Sequence, residues 1–460
     1  MVKYKKSTRR KVMLERRRVL ELFEKEKDAL QAKTQEGIEK NRKGKFTLRL
    51  TDKTGKPLAN TAVKLCQKTH EFRFGANLFM LDELETPEKN QAYKQHFTGL
   101  FNMATLPFYW DSLEPEKGHP RFAKDSPRVY RRPAPDLCIE FCEKHGIEPR
   151  EHALAYEQFF PKWLYGADTE TTKAALETRY AEIAARYADK IPTIEVTNEM
   201  LWEKGRTAFY DDADYVAWCF KMAEKYFPQN ELAVNDATDM AWGMRPRTCS
   251  AYYSYIEAAI LKGARIDAVG MQFHMFHPRE REYEATRPYY DPDALYAHMD
   301  LFARFGKPLQ VTEITVPSYS WEKEDEELQA DILEYLYSIW FSHPAVEQIV
   351  YWNLVDGYAH VWDPDPEVIA ASQGNMTQGE NYYHGGLLRF DLSKKPAYER
   401  LDTLINKAWH TEGEFNTDAD GCLSLRAFYG NYDLTVLKEN GQKGEITFSK
   451  KGENCFALVL

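Results

Sequence analysis

What most constrains this chain is a beat: an apolar strand followed by a helical segment, repeated eight times between residues 72 and 408. Candidate strands run over 72–81, 101–110, 148–157, 193–200, 231–238, 268–276, 309–316 and 349–357. Helical segments follow near 86–99, 133–145, 169–188, 211–227, 247–262, 291–305, 323–342 and 397–407. Neighbouring parallel strands need a crossover between them, and a helix is the usual one. Eight such units over this length predict an α/β fold, a (β/α)8 barrel with long loops. A doubly wound sheet alternates too, but it carries a Gly-rich phosphate turn after its first strand. Phe74-Gly75-Ala76-Asn77 is not such a turn, and no Walker sequence is present.

The chain ends read differently. Lys45-Phe46-Thr47-Leu48-Arg49-Leu50 alternates, Asp52-Lys53-Thr54-Gly55-Lys56-Pro57 is a turn, and 61–67 alternates again. The same style returns at 423–428, 433–437, 445–448 and 456–460. The expected organisation is one accessory β-sandwich built from 44–71 and 409–460, with the barrel (72–408) inserted between its halves. The sandwich has no stripe of exposed aromatics, so structural support is its expected role. Residues 1–43 hold fifteen Lys/Arg against seven Asp/Glu, which makes them +8 and the remainder −18. The arm from Lys3 to Arg18, with Met13, Leu14, Val19, Leu20, Leu22 and Phe23, predicts a basic amphipathic helix, solvated or docked on its own protein. An acidic main body argues against nucleic acid and suits a neutral polar ligand. No apolar stretch resembles a signal-peptide core or is long enough to span a bilayer, so a cytoplasmic protein without membrane contact is expected. The seven scattered cysteines read as buried reduced thiols, not as a zinc site.

Two segments end their strands in a carboxylate: Ile194-Glu195-Val196-Thr197-Asn198-Glu199 and Leu309-Gln310-Val311-Thr312-Glu313-Ile314. A β-branched run favours burial and an ionised Glu resists it, so such a strand must open onto a site that uses the charge. In a barrel that site lies at the carboxyl ends of the strands. His152 and Glu157 fall there on the third strand, Asn235 and Asp236 on the fifth, Gln272 and His274 on the sixth, and Trp352, Asn353 and Asp356 on the eighth. Their convergence is the signal. Paired carboxylates are the apparatus of glycoside hydrolysis. A 14% aromatic content suits sugar stacking as well as a large core.

In order and spacing these motifs resemble glycoside hydrolase family 10, the retaining endo-β-1,4-xylanases, from about Phe72 to Leu404. Thr197-Asn198-Glu199 is similar to the Asn-Glu motif of strand four, Val234-Asn235-Asp236 to the Asn-Asp of strand five, and Gln272-Phe273-His274 to the Gln-x-His of strand six. Thr312-Glu313 resembles the Thr-Glu of strand seven, and Trp352 with Trp362 the tryptophans of strand eight and its loop. The resemblance implies that Glu313 is the nucleophile and Glu199 the acid/base of a double displacement, with carboxyl groups about 5–5.5 Å apart. The implied substrate is a β-linked, xylan-derived oligosaccharide. His274 would bond the nucleophile, Asn198 would donate to the sugar 2-hydroxyl, His152 would contact the same sugar, and Trp352 would form its floor. Gln272, Asn235, Trp110 and Trp362 complete the expected binding set. No metal or organic cofactor is implied.

Departures from the family pattern concern the substrate. Members carry Glu-Asn-x-x-Lys-Trp after strand two, holding the next sugar on the non-reducing side; here Thr105-Leu106-Pro107-Phe108-Tyr109-Trp110 keeps the Trp alone. Strand three usually ends in Trp-His, and Tyr156-Glu157 stands in that place. The loop 358–386 is long and aromatic, either a surface insertion or a lid. Alternatives are a carbohydrate-binding barrel without catalysis and a glycosidase of the same clan acting on another β-glycoside. A metal-dependent barrel hydrolase would open with His-x-His on its first strand, and residues 72–81 hold no His.

Overall fold

A computed structural model of the chain describes residues 16–201, 205–243, 250–437, 441–452 and 454–459. The basic helix expected over residues 3–18 lies mostly outside them. The N-terminal segment that is described consists of a turn at Arg17–Leu20, a short helix at Glu21–Lys25 and a longer one at Lys27–Arg42. It docks on the barrel. Val19, Leu20 and Phe23 are buried, and the buried Arg16 guanidinium bonds Glu282 at 2.7 Å and Asp325 at 2.6 Å. Arg42 gives its guanidinium to the carbonyls of Phe341, His343 and Val346.

Two strands follow, β1 (Lys43–Thr51) and β2 (Ala62–His70). In the turn between them the Asp52 carboxylate accepts the backbone N–H groups of Thr54 and Lys56, and Gly55 takes the left-handed φ of 85°. The chain then runs through β3 (Arg73–Asn77), β4 (Met103–Pro107), β5 (Glu148–His152), β6 (Thr193–Asn198), β7 (Glu231–Asn235), β8 (Ala268–His274), β9 (Leu309–Thr315) and β10 (Val346–Tyr351). These eight are parallel and closed, β10 pairing with β3, so the expected barrel is present. Every residue of β4, β6 and β9 is buried, which is why they read as near-continuous apolar runs. Local signals frame the helices between them. Thr86 caps Pro87–Leu100 and Asp168 caps Thr169–Tyr187, while left-handed Gly146 ends Pro135–His145. At the amino-terminal mouth of the barrel Arg73 meets Glu148 at 3.1 Å, Glu231 at 3.6 Å and Glu347. Gln310 bonds Glu231 and Glu347 beside it.

The chain returns in β11 (Glu412–Asn416), β12 (Cys422–Phe428), β13 (Gly430–Val436), β14 (Lys443–Phe448) and β15 (Cys455–Val459). These join the N-terminal strands in two sheets, ordered β12-β1-β15 and β11-β2-β13-β14. Between the sheets lies a core that includes Phe46, Leu48, Val63, Leu65, Tyr432, Leu434 and Phe448, so both chain ends build one sandwich. Strand β11 was not expected. Its Glu-Gly-Glu-Phe-Asn sequence hides it from pattern reading because it is a largely solvent-facing edge, paired with β2 alone. The last barrel helix, expected over 397–407, spans Pro396–Thr403 and gives way to a wider turn at Leu404–Ala408. Among the described residues no helix is long and apolar enough to cross a membrane.

Candidate active site

The carboxyl ends of the barrel strands open into a cleft of about 630 Å³. Glu199 and Glu313 both line it, one just past β6 and the other near the end of β9. Glu199 takes a left-handed φ of 52°, a conformation costly for a residue with a Cβ, as the chain turns out of the strand. The Gln272 amide lies between the two acids. Its Nε2 donates to Glu199 Oε1 at 2.9 Å and to Glu313 Oε1 at 3.0 Å, with Asn198 Oδ1 at 3.2 Å.

The two carboxylates are held by different partners. Glu313 accepts from Asn235 Nδ2 at 3.0 Å and meets His274 Nε2 at 3.2 Å. Burial pushes its carboxyl well above the usual range, and nearby His152 and the Asn235 amide pull the other way. Glu199 is less buried and accepts the Tyr156 hydroxyl at 2.6 Å on Oε2. His274 is pushed down to about 4 by burial, so its ring is neutral near pH 7. A neutral ring has one donor, and Oε2 of an ionised Glu313 requires it at Nε2. Nδ1 therefore accepts the Thr315 hydroxyl, 3.0 Å away.

His152 is set from the strand beside it. Its Nδ1 meets Glu195 Oε1 at 2.8 Å and its Nε2 meets the Tyr109 hydroxyl at 3.0 Å. Burial alone would lower His152, but Glu195 and Glu313 outweigh it and hold the imidazole above its usual range. Arg150 completes the array by donating to Glu195 Oε2 at 2.6 Å. Trp352 walls the same space, its ring edge-on to His152 at 5.3 Å and His274 at 5.9 Å. Asn198 lines the cleft with its Nδ2 unpartnered among the described residues.

His152, Glu195 and Glu313 bring ligand atoms within 4.8 Å of one another, a spacing that a cation could bridge. Both nitrogens of His152 are already engaged, however, and Glu195 is neutralised by Arg150, so these donors serve one another first. Cys66, His410 and Glu412 make a second group of that kind on the sandwich, where Glu412 is paired with Lys64 at 2.8 Å.

The profile of glycosyl hydrolase family 10 matches residues 68–401. The chain belongs to that family. The endo-1,4-beta-xylanase 1 of Arabidopsis thaliana is 24% identical over 380 residues, covering 80% of this chain and 34% of its own length. The anti-sigma-I factor RsgI6 of Acetivibrio thermocellus is 25% identical over 407 residues, covering 87% of this chain and 46% of its own. The chain thus spans less than half the length of these curated relatives. The structure of xylanase 10B from Thermotoga petrophila RKU-1 in complex with xylobiose aligns with a TM-score of 0.55 at 20% identity, over 74% of this chain and 95% of that one.

Against the residues expected for a family 10 site, most converge. Glu199, Glu313, Asn198, His152, Gln272, His274 and Trp352 line the cleft, and Trp362 stands exposed at its mouth. Two expectations need correction. Trp110 is not a cleft residue: its ring is buried against Phe160 and Trp163, and its indole N–H is spent on Glu114 at 2.7 Å. Asn235 lies beneath the cleft, with Nδ2 given to Glu195, Asn198 and Glu313, so it positions acids rather than contacting sugar. Glu195, Tyr109 and Tyr156 were missed. Glu195 had a signal, since a charge inside a fully buried strand must have a partner. The loop 358–386 is packed as a roof, contributing His360, Trp362, Glu380 and Tyr383 to the cleft.

Proposed function

We propose that the protein is a retaining β-glycosidase acting on xylan-derived β-1,4-linked oligosaccharides, with Glu313 as nucleophile and Glu199 as acid/base. One observation carries the reading: a single amide nitrogen touches both carboxylates. Oxygens sharing one donor at 2.9 and 3.0 Å lie within about 6 Å of each other, a closeness that favours the roughly 5–5.5 Å spacing of a retaining pair over the roughly 6.5–9.5 Å of an inverting one. The division of labour follows from the partners. Asn235, Gln272 and His274 favour the ionised form of Glu313, as a nucleophile requires. Glu199 sits nearer solvent, with the Tyr156 hydroxyl and the shared Gln272 amide as its donors, suited to exchanging a proton with the leaving oxygen and then with water. The free Asn198 Nδ2 would donate to the sugar 2-hydroxyl, a bond that strengthens as positive charge develops on the ring. Xylanase relatives of the same family support a xylan-type substrate.

Proton NMR of the first turnover of an aryl β-xyloside tests this, the expected product being the β-anomer. Glu199→Ala should keep part of its activity on the aryl substrate, where the leaving group needs little protonation, and azide should restore more as a β-glycosyl azide. Release of the α-anomer, or full activity in both Glu199→Ala and Glu313→Gln, would overturn the assignment.

A further inference from the structure

One end of the cleft carries charge that this mechanism does not use. Arg131 and Arg132, adjacent in the chain, both line it, and they are only 3% and 8% exposed. Arg131 sits at a left-handed φ of 60°, donates to the Tyr358 carbonyl through one terminal nitrogen, and has an Nε unpartnered among the described residues. Arg132 donates to the Arg131 carbonyl at 3.1 Å and lies over the Tyr109 ring, 3.7 Å from its centroid. Tyr109 is the residue whose hydroxyl meets His152, so Arg132 is one ring away from the expected sugar site.

Other buried arginines of this protein are provided for. Arg16 and Arg150 face carboxylates. Arg42 and Arg179, which do not, each serve three backbone carbonyls. Arg131 and Arg132 have one carbonyl apiece, and among the described residues neither forms an ion pair. Burial lowers Arg132 and its neighbour Arg131 repels it, while the nearby Tyr109, Asp111 and Glu380 pull the other way. Glu380 lines the same cleft, but its Oε2 is held by Asn353 Nδ2 at 2.7 Å and it contacts neither guanidinium. Both cations therefore face the cleft with no carboxylate in contact among the described residues, Asp111 and Glu380 acting on Arg132 only through space. A buried guanidinium without a contacting counter-charge is costly, and a carboxylate, which accepts its planar fork bidentately, is the group that best offsets it.

We propose that Arg131 and Arg132 form a carboxylate-binding subsite that selects oligosaccharides carrying a uronic acid. This rests on the glycosidase reading. A lysine would not serve equally, because the fork and the stacking on Tyr109 both need a planar cation.

The test compares three substrates of one length: a glucuronic-acid-substituted xylo-oligosaccharide, its methyl ester, and the unsubstituted oligosaccharide. The ester keeps the shape of the acid and removes its charge. In the wild type, kcat/KM for the acid should exceed that for the ester at least tenfold. The ratio should fall to near one in Arg132→Gln and in Arg131→Gln, with partial recovery in Arg132→Lys, thermal unfolding serving to confirm that each variant folds. Equal cleavage of acid and ester by the wild type, or a ratio that survives both Gln variants, overturns the proposal. Calorimetric titration of acid and ester into Glu313→Gln decides the point without turnover. Failure to cleave any β-xyloside would sink the glycosidase reading, whereas equal binding of acid and ester would sink this one.

Discussion

The two mouths of the barrel both gather charge. At the amino-terminal mouth, Arg73 is surrounded by Glu148, Glu231 and Glu347, and Gln310 ties two of those acids together. Positive and negative groups there answer one another. At the carboxyl mouth, Glu199 and Glu313 share the Gln272 amide, while Asn198, which lines the cleft, keeps an Nδ2 with no partner among the described residues. The first arrangement is self-sufficient and closes the barrel, and the second has donors and acceptors left for a ligand. One scaffold thus keeps a self-paired mouth apart from a mouth whose polar groups line a cleft, where Glu199 takes its strained left-handed turn.

Substitution on each side should break that symmetry. Glu313→Gln should lower turnover of an aryl β-xyloside by at least about 10⁴-fold while leaving the thermal midpoint equal or higher, because a buried charge is removed. Arg73→Met should do the reverse. It leaves three part-exposed carboxylates without their shared cation, so urea unfolding should show a loss of about 1–3 kcal/mol, with kcat per folded molecule unchanged. A drop in kcat with unaltered stability in Arg73→Met would mean that the two mouths are not separate in function. Tyr156→Phe comes next in size. A hydrogen bond to a charged group contributes about 1.5–3 kcal/mol, so losing the hydroxyl on Glu199 should cost roughly tenfold to a hundredfold in kcat/KM, without a change in unfolding free energy comparable to that of Arg73→Met.

The same contrast governs what was legible in sequence. The beat of buried strands gave the barrel, because parallel strands covered on both faces must be apolar and their helices carry ordinary caps. The acids were legible because Glu199 and Glu313 break apolar runs. Residues acting from loops were not. Arg131, Arg132 and Glu380 reach the cleft through turns with no periodicity, and Trp110 follows the right strand yet points into a pocket made by Phe160 and Trp163. Motif spacing tells which strand end a residue occupies, not which way a following turn aims it. Strand β11 escaped for a related reason, since the alternation that betrays a strand requires one face to be buried.

The smallest expected effect is a pH dependence that joins the cleft to the rest of the chain. Burial holds His274, at the cleft, and His70, between sandwich and barrel, down to about 4. His70 is bonded by the Ile405 carbonyl at 3.2 Å and by Gln67 at 3.2 Å, far from any acid of the site. An imidazole that titrates near 6.5 in the unfolded chain and near 4 in the fold takes its proton first when unfolded. Its stabilising contribution is whole above about pH 6.5 and is lost progressively as the pH falls toward 4. Between pH 7 and 5.5 each group should lower the unfolding free energy by about 1 kcal/mol. His70→Gln keeps an N–H donor and a carbonyl acceptor while removing the titration, so it should flatten the urea-measured slope by about one group's share and leave the pH profile of kcat unmoved. His274→Gln should flatten the slope to the same extent but also alter the kcat profile, since it replaces the ring that meets Glu313. If both variants kept the wild-type slope, the acid-sensitive groups would lie elsewhere; if His70→Gln moved the kcat profile, the site would extend beyond the barrel mouth.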